Sequence, residues 1–252
     1  MLLDTYGEQN GHVYGYVGGL PQRGLKVKLF KFIQTQMAIN HAGYQLPDYY
    51  RLGGVLSDRE IHERVQQNQL RISAYQNKKI THLGGDTERD KVLSYGLSEA
   101  GYTIRLSYDV MVSDPAYGAE HIVDPKRGRH TTKLVKPEWD RENEAFIIRP
   151  KTHGLASVVE KVTMPDNLYA LPVGKSTYAR VGLLAYFTGV EPGWDGYLTF
   201  EFYNASDQSV MLYPMEGICQ LVFMKLGTKA DTPYSGAYQN QKPEITFAGG
   251  NG

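Results

Sequence analysis

The sequence predicts a mainly-β fold with little helix, and three observations carry that expectation. Apolar Tyr102, Ile104 and Leu106 alternate with polar Thr103 and Arg105, the period of two that marks a strand. Strand-like runs then dominate from Ala145 to Leu226. Turn formers punctuate them at Pro150, Pro165-Asp166, Pro192-Gly193, Asp195-Gly196 and Pro214. Many short strands joined by frequent turns make a barrel, a sandwich or a jelly roll.

Taken in order, the first 53 residues are rich in Gly and Tyr, apart from a basic-apolar stretch from Leu25 to Ile33. That stretch reads either as a packed element with a lysine-bearing solvent face or as a membrane-surface or partner-binding segment, the first being the plainer reading. Gly53-Gly54 is a plausible boundary. Ser57-Asp-Arg-Glu60 fits a capping box, with Ile61 and Val65 on one face of the helix it opens. Glutamines and Asn68 lead out of that helix. The period turns towards two from Leu93, and Val110-Met-Val112 extends the strand. Residues 113–144 read as a long excursion, with the basic cluster Asp124–His130 either solvated or phosphate-binding. Further strands are expected over Ala145–Ile148, Leu155–Val162, Leu198–Tyr203, Val210–Tyr213 and Ile218–Met224, with Asp195-Gly196 as a hairpin turn.

Composition removes several classes. Lys+Arg and Asp+Glu both number 27, which argues against stable nucleic-acid binding through bulk electrostatics. A single cysteine, Cys219, excludes an intrachain disulfide framework and a Cys-rich zinc module. No run approaches the roughly 20 apolar residues of a membrane span, and the opening segment does not read as a secretory signal. The expectation is a soluble cytoplasmic protein without a membrane partner.

The common catalytic templates are absent. There is no Gly-x-x-x-x-Gly-Lys-Ser/Thr loop, no Gly-x-Ser-x-Gly elbow and no His-Glu-x-x-His. The seven histidines are scattered, and His-x-Glu with Pro-Cys-x-x-Cys is missing, so zinc-dependent base deamination is not available. Four segments do stand out: Val173-Gly-Lys-Ser-Thr-Tyr-Ala-Arg-Val-Gly-Leu183, Glu191-Pro-Gly-Trp-Asp-Gly196, Phe200-Glu-Phe-Tyr-Asn204 and Pro233-Tyr-Ser-Gly-Ala-Tyr-Gln-Asn-Gln241. In this order they closely resemble the dCTP deaminase branch of the dUTPase superfamily. Leu56–Ile61, Phe146–Pro150 and Glu160–Pro165 extend the resemblance, which covers about residues 54–242.

That resemblance implies a dUTPase-like β-clip, or distorted jelly-roll, forming a homotrimer with active sites at subunit interfaces. It implies residues 1–53 as an extension of unknown role, 54–228 as the β domain and 229–252 as a tail that closes as a lid. The implied reaction is hydrolysis of the 4-amino group of dCTP to dUTP and ammonia. Such a reaction needs a group that takes a proton from water and returns one to the leaving nitrogen. Glu201, within an otherwise apolar-aromatic strand, is the candidate. Arg180 would supply a fixed cation and Ser176 would position the water or the amine. Alone, Glu201 reads equally well as a solvent-facing strand residue, Arg180 as a surface ion-pair partner and Ser176 as a cap hydroxyl.

Substrate binding would fall to Lys175 at the phosphates, Thr188 and Gly189 in the loop that reads the base, and Glu191 at the sugar, with Thr177 a further substrate-binding residue. Tyr234, Tyr238 and Gln241 would form the lid. No metal is expected in the chemistry, with Mg2+ accompanying the nucleotide phosphates. Three departures from the family pattern matter. Lys175 stands where an arginine is usual, the Thr188–Pro192 loop is about two residues short, and Ala237 replaces a phosphate-binding lysine. A weakened phosphate clamp leaves a modified dCTP, or a nucleotide with fewer phosphates, as alternatives. A dUTP diphosphatase, a bifunctional enzyme and a non-catalytic nucleotide-binding regulator also remain open.

Overall fold

The computed structural model describes the backbone of residues 5–9, 12–17 and 20–21, and then residues 54–85, 90–116 and 133–248. The Leu25–Ile33 stretch and the Asp124–His130 cluster lie outside the described residues. The chain divides into two compact units, Met1–Leu52 and Gly53–Gly252. In the first, β1 (Thr5–Gln9), β2 (His12–Val17) and β3 (Leu20–Pro21) form an antiparallel sheet in sequence order.

The second unit opens with α1 (Asp58–Gln66), held by the expected capping box. Glu60 N donates to Ser57 Oγ and Ser57 N donates to Glu60 Oε2 at 3.0 Å, which satisfies two otherwise orphaned donors. Ile61 is fully buried on the inner face, and Val65 packs against the core. Asn68, at φ 58°, turns the chain out of the helix.

Ten strands then form one antiparallel sheet. Its main path runs through β12 (Leu168–Gly174), β16 (Gly217–Lys225), β7 (Gly101–Ser113), β11 (His153–Thr163), β14 (Asp195–Asn204) and β13 (Leu183–Tyr186). Short strands flank it: β4 (Arg71–Ile72) pairs with β11, and β5 (Lys79–His82) with β6 (Lys91–Ser98). β6 and β8 (Leu134–Val135) both pair with β7. A smaller sheet has β15 (Val210–Leu212) and β9 (Glu138–Asp140) on either side of β10 (Ala145–Ile148). The core lies between the curled layers, around Tyr102, Ile104, Leu106, Phe200, Phe202 and Phe223, all fully buried. Cys219 is buried among them, and burial pushes its thiol up, which leaves it unreactive. Among the described residues no helix is long and apolar enough to cross a membrane.

One sequence expectation needs correction. Asp195-Gly196 is not a hairpin turn: these residues open β14 and pair with Thr163 and Val162 of β11. The Asp195 carboxylate accepts from Lys161 Nζ and Thr163 Oγ1, so side-chain bonds along the ladder override the turn preference of the dipeptide. The alternating stretch of β7 is a strand as expected, and its polar positions Thr103 and Arg105 are buried as well. Thr103 and Arg105 are each 9% exposed, and Arg105 Nε donates to the fully buried Glu160 at 2.7 Å. The Arg105 guanidinium lies 4.9 Å above the Tyr95 ring. Finally, β12 carries Pro172 in its interior. Among the named strands it pairs with β16 only; the side away from β16, where the missing N–H falls, meets the chain through a bridge between Ala170 and Val190.

Candidate active site

β14 carries the central carboxylate. Successive strand residues face opposite ways, so burial of Phe200 and Phe202 in the core turns Thr199, Glu201 and Tyr203 to the other face. In register, Glu201 stands opposite Leu155 of β11 and Tyr186 of β13. It lines a cleft of about 520 Å3, within the size range of small-ligand sites. The cleft also gathers Thr188, Gly189, Glu191, Tyr234, Tyr238 and Gln241. Seven of the eleven residues singled out from the sequence thus converge, from positions 188 to 241.

Backbone contacts fix the loop between β13 and β14. Val190 N donates to Ala170 O at 2.8 Å and Ala170 N returns the bond at 3.0 Å. A Cβ on Gly189 would lie 1.7 Å from the Tyr169 hydroxyl, so any larger residue would have to displace the Tyr169 ring. The tail reaches the cleft along the same loop. Tyr234 N donates to Pro192 O at 2.8 Å, and the Tyr234 ring packs on Trp194 at 5.6 Å between centroids.

The cleft has a mixed polar and apolar lining, and burial shifts two of its titratable groups. Burial raises the Glu201 carboxyl above its ordinary range, while its own backbone N–H pulls the other way. Among the described residues no cation pairs with it. His153, two residues from Leu155 on the same face of β11, lines the cleft as well. Burial holds its imidazole below the usual value, so it is neutral at neutral pH. Leu134, His153, Leu155, Trp194, Leu198, Thr199, Thr246, Phe247 and Ala248 complete the lining and were not singled out from the sequence. Thr199 was within reach of strand alternation from Glu201, and Trp194 lay inside a quoted motif. His153 depends on strand register, and Thr246 and Phe247 on where the tail docks.

The other four residues lie elsewhere in the chain. Lys175 caps α2 (Ser176–Arg180), a single turn the sequence did not announce. Its anchor is Tyr178, which is buried and whose hydroxyl accepts from Tyr213 N at 3.0 Å. Ser176, Thr177 and Arg180 are exposed on its outer face. Thr177 and Arg180 line a second cleft, of about 720 Å3, with Gly182, Ser206 and Tyr213, and it shares no residue with the first. Lys175 turns inward: its Nζ donates to Ser94 O at 2.8 Å and Ser94 Oγ at 2.9 Å. Burial lowers its pKa, the neighbouring Lys79 adds to this, and Glu216 opposes it.

Known proteins share this pattern. Residues 55–226 match the family described as dCTP deaminase-like. The dCTP deaminase of Erythrobacter litoralis is 34% identical over 194 residues, spanning 77% of this chain and 90% of that protein. That of Rickettsia akari is 34% identical over 191 residues, 74% of this chain and 95% of that protein. Among solved structures, the 2'-deoxycytidine 5'-triphosphate deaminase of Agrobacterium tumefaciens aligns at 16% identity and a TM-score of 0.46, over 69% of this chain and 49% of that one.

Proposed function

The chain belongs to the dCTP deaminase-like family, and we propose that it hydrolyses dCTP to dUTP and ammonia in pyrimidine deoxynucleotide metabolism. The observation that carries this reading is Glu201: a carboxylate with a raised pKa, free of any cation among the described residues, lining a cleft of about 520 Å3. A water oxygen adds to C4 of the pyrimidine while the Glu201 carboxylate takes the water proton. The protonated Glu201 then returns that proton to the 4-amino nitrogen. The C4–N bond breaks, ammonia departs, and the second water proton passes from the new oxygen to N3, leaving the 4-carbonyl. A carboxyl whose pKa is lifted towards neutrality serves both directions better than an ordinary one, and such catalysis contributes about 10²–10⁴-fold.

The remaining roles follow the cleft. Thr188 and Gly189 stand at the base end, Glu191 at the sugar, and Tyr234, Tyr238 and Gln241 form the cover. Mg2+ is part of the substrate, arriving on the triphosphate. Ser176, Thr177 and Arg180, exposed on a separate face, fit a homotrimer in which one copy supplies them to the cleft of its neighbour. Arg180 then provides a fixed positive charge beside the reacting ring and Ser176 orients the water. Lys175 meets the phosphates as a point charge with its Nζ already held on Ser94. The reading extends to a cytoplasmic enzyme acting on the free nucleotide pool, with residues 229–252 as the lid.

The test is product analysis with the full chain. Ammonia release from dCTP is expected, with dUTP as the co-product and no pyrophosphate. Pyrophosphate from dCTP or dUTP would instead point to diphosphatase chemistry, and tight binding without product to a regulator. Comparing dCTP with dCDP and dCMP measures how much the Lys175 and Ala237 substitutions weaken the phosphate clamp.

A further inference from the structure

The phosphate end of the proposed site is short of positive charge. Lys175 is the one cation assigned to three phosphates, and Ala237 brings none. A second lysine stands near it. Lys79 of β5 lies opposite Gly96 of β6 in register. Residues two apart on a strand share a face, so Lys79 and Ser94 are diagonal neighbours on one face of this strand pair. Tyr95 and Leu97 turn the other way, into the core. Ser94 is the residue that holds Lys175, accepting from its Nζ through both O and Oγ. We propose that Lys79 is a second phosphate-binding residue, forming with Lys175 a two-lysine clamp for the triphosphate of the nucleotide.

Neither ammonium is spent on a carboxylate. Lys79 is exposed, and among the described residues no hydrogen bond or ion pair occupies its Nζ. Lys175 gives two N–H bonds to Ser94 and keeps a third for an anion. Glu216 offsets part of the charge at Lys175, but its Oε2 accepts from Leu93 N at 2.6 Å and forms no ion pair with either lysine among the described residues. One carboxylate against two cations leaves this patch positive. Two like charges held near each other repel, which is part of why Lys175 binds its proton less tightly than usual. An anion lying between them removes that repulsion. Two ammoniums on flexible stems also suit a triphosphate, whose charge is spread over several oxygens. Lys79 lies outside the four motif segments, and only the pairing of β5 with β6 brings it here.

This inference rests on the proposed deaminase reading for its kinetic arm only. In the full chain, Lys79→Met keeps most of the stem and removes the charge. It is expected to raise KM for dCTP about tenfold, the scale of one lost charge-assisted hydrogen bond, with kcat changed far less. KM for dCMP, which lacks the outer phosphates, should move much less than KM for dCTP. Inorganic tripolyphosphate has no base to deaminate and reads the clamp directly by calorimetry. Its affinity should fall about tenfold in Lys79→Met and be kept in Lys79→Arg. An unchanged KM for dCTP, equal increases for dCTP and dCMP, or a tripolyphosphate affinity that is the same in wild type and Lys79→Met overturns the clamp. So does a wild type that does not bind tripolyphosphate. Absence of ammonia release from wild type would sink the deaminase reading instead, and the tripolyphosphate comparison would still decide the role of Lys79.

Discussion

Two glutamates on neighbouring strands are both desolvated, yet only Glu160 is tied to a cation among the described residues. Glu160 on β11 is fully buried and Glu201 on β14 is half-buried, and burial raises the carboxyl of each. Their partners differ. Glu160 accepts from Arg105 N at 2.8 Å and from Arg105 Nε at 2.7 Å, and these bonds pull its carboxyl back down. Its proton has no reason to move. Glu201 has only its own backbone N–H working against desolvation, and it opens onto a cleft. A carboxylate becomes a usable acid and base when it is desolvated but not paired.

The largest expected effect breaks the comparison at its reactive end. Glu201→Gln keeps shape and hydrogen-bonding capacity but cannot carry the proton, so deamination should fall about 10²–10⁴-fold, measured as ammonia release. A variant that deaminates at the wild-type rate would end the carboxylate mechanism. Arg105→Leu acts at the other end, leaving the Glu160 carboxylate buried without its cation. It should cost about 3–5 kcal/mol of stability by chemical denaturation. A cost below 1 kcal/mol would mean that water or another cation reaches Glu160.

Smaller effects sharpen the contrast through pH. The base step needs ionised Glu201, so kcat should fall on the acid side with a midpoint above the ordinary carboxylate value of about 4.3. The stability effect has the opposite sign. A raised folded pKa means that the native state binds the proton more tightly. Between the unfolded and folded values stability therefore declines as pH rises. Glu201→Gln removes that decline, and at neutral pH it should melt about 1–3 °C above wild type while being inactive. A lower melting point would show that the charged carboxylate is stabilised by something not accounted for. The smallest change, Ser57→Ala, removes the α1 cap far from both glutamates. It should cost about 1 kcal/mol and leave the pH profile of activity unmoved.

Legibility in the sequence followed the range of the interaction. The capping box at Ser57 and Glu60 was readable because four adjacent residues settle it. The strands over Ala145–Ile148 and Gly217–Lys225 were readable because their apolar runs are continuous. Arg105 read only as a polar position in an alternating strand, since nothing near it in sequence announces Glu160, 55 residues away. Asp195-Gly196 looked like a turn because Lys161 and Thr163, which hold it in a strand, lie on another element. His153 was invisible for the same reason: its place in the cleft follows from β11 register against β14.

By itself the sequence determined the mainly-β class, the family, and the motif residues from Lys175 to Gln241, because motif order and strand period are local or collinear properties. Tertiary structure decided what those residues share. It gathered Glu201, Thr188, Gly189, Glu191 and the tail into one cleft and left Ser176, Thr177 and Arg180 exposed on another face. It also distinguished two glutamates that read alike along the chain, since desolvation and the position of a cation depend on what packs around a side chain.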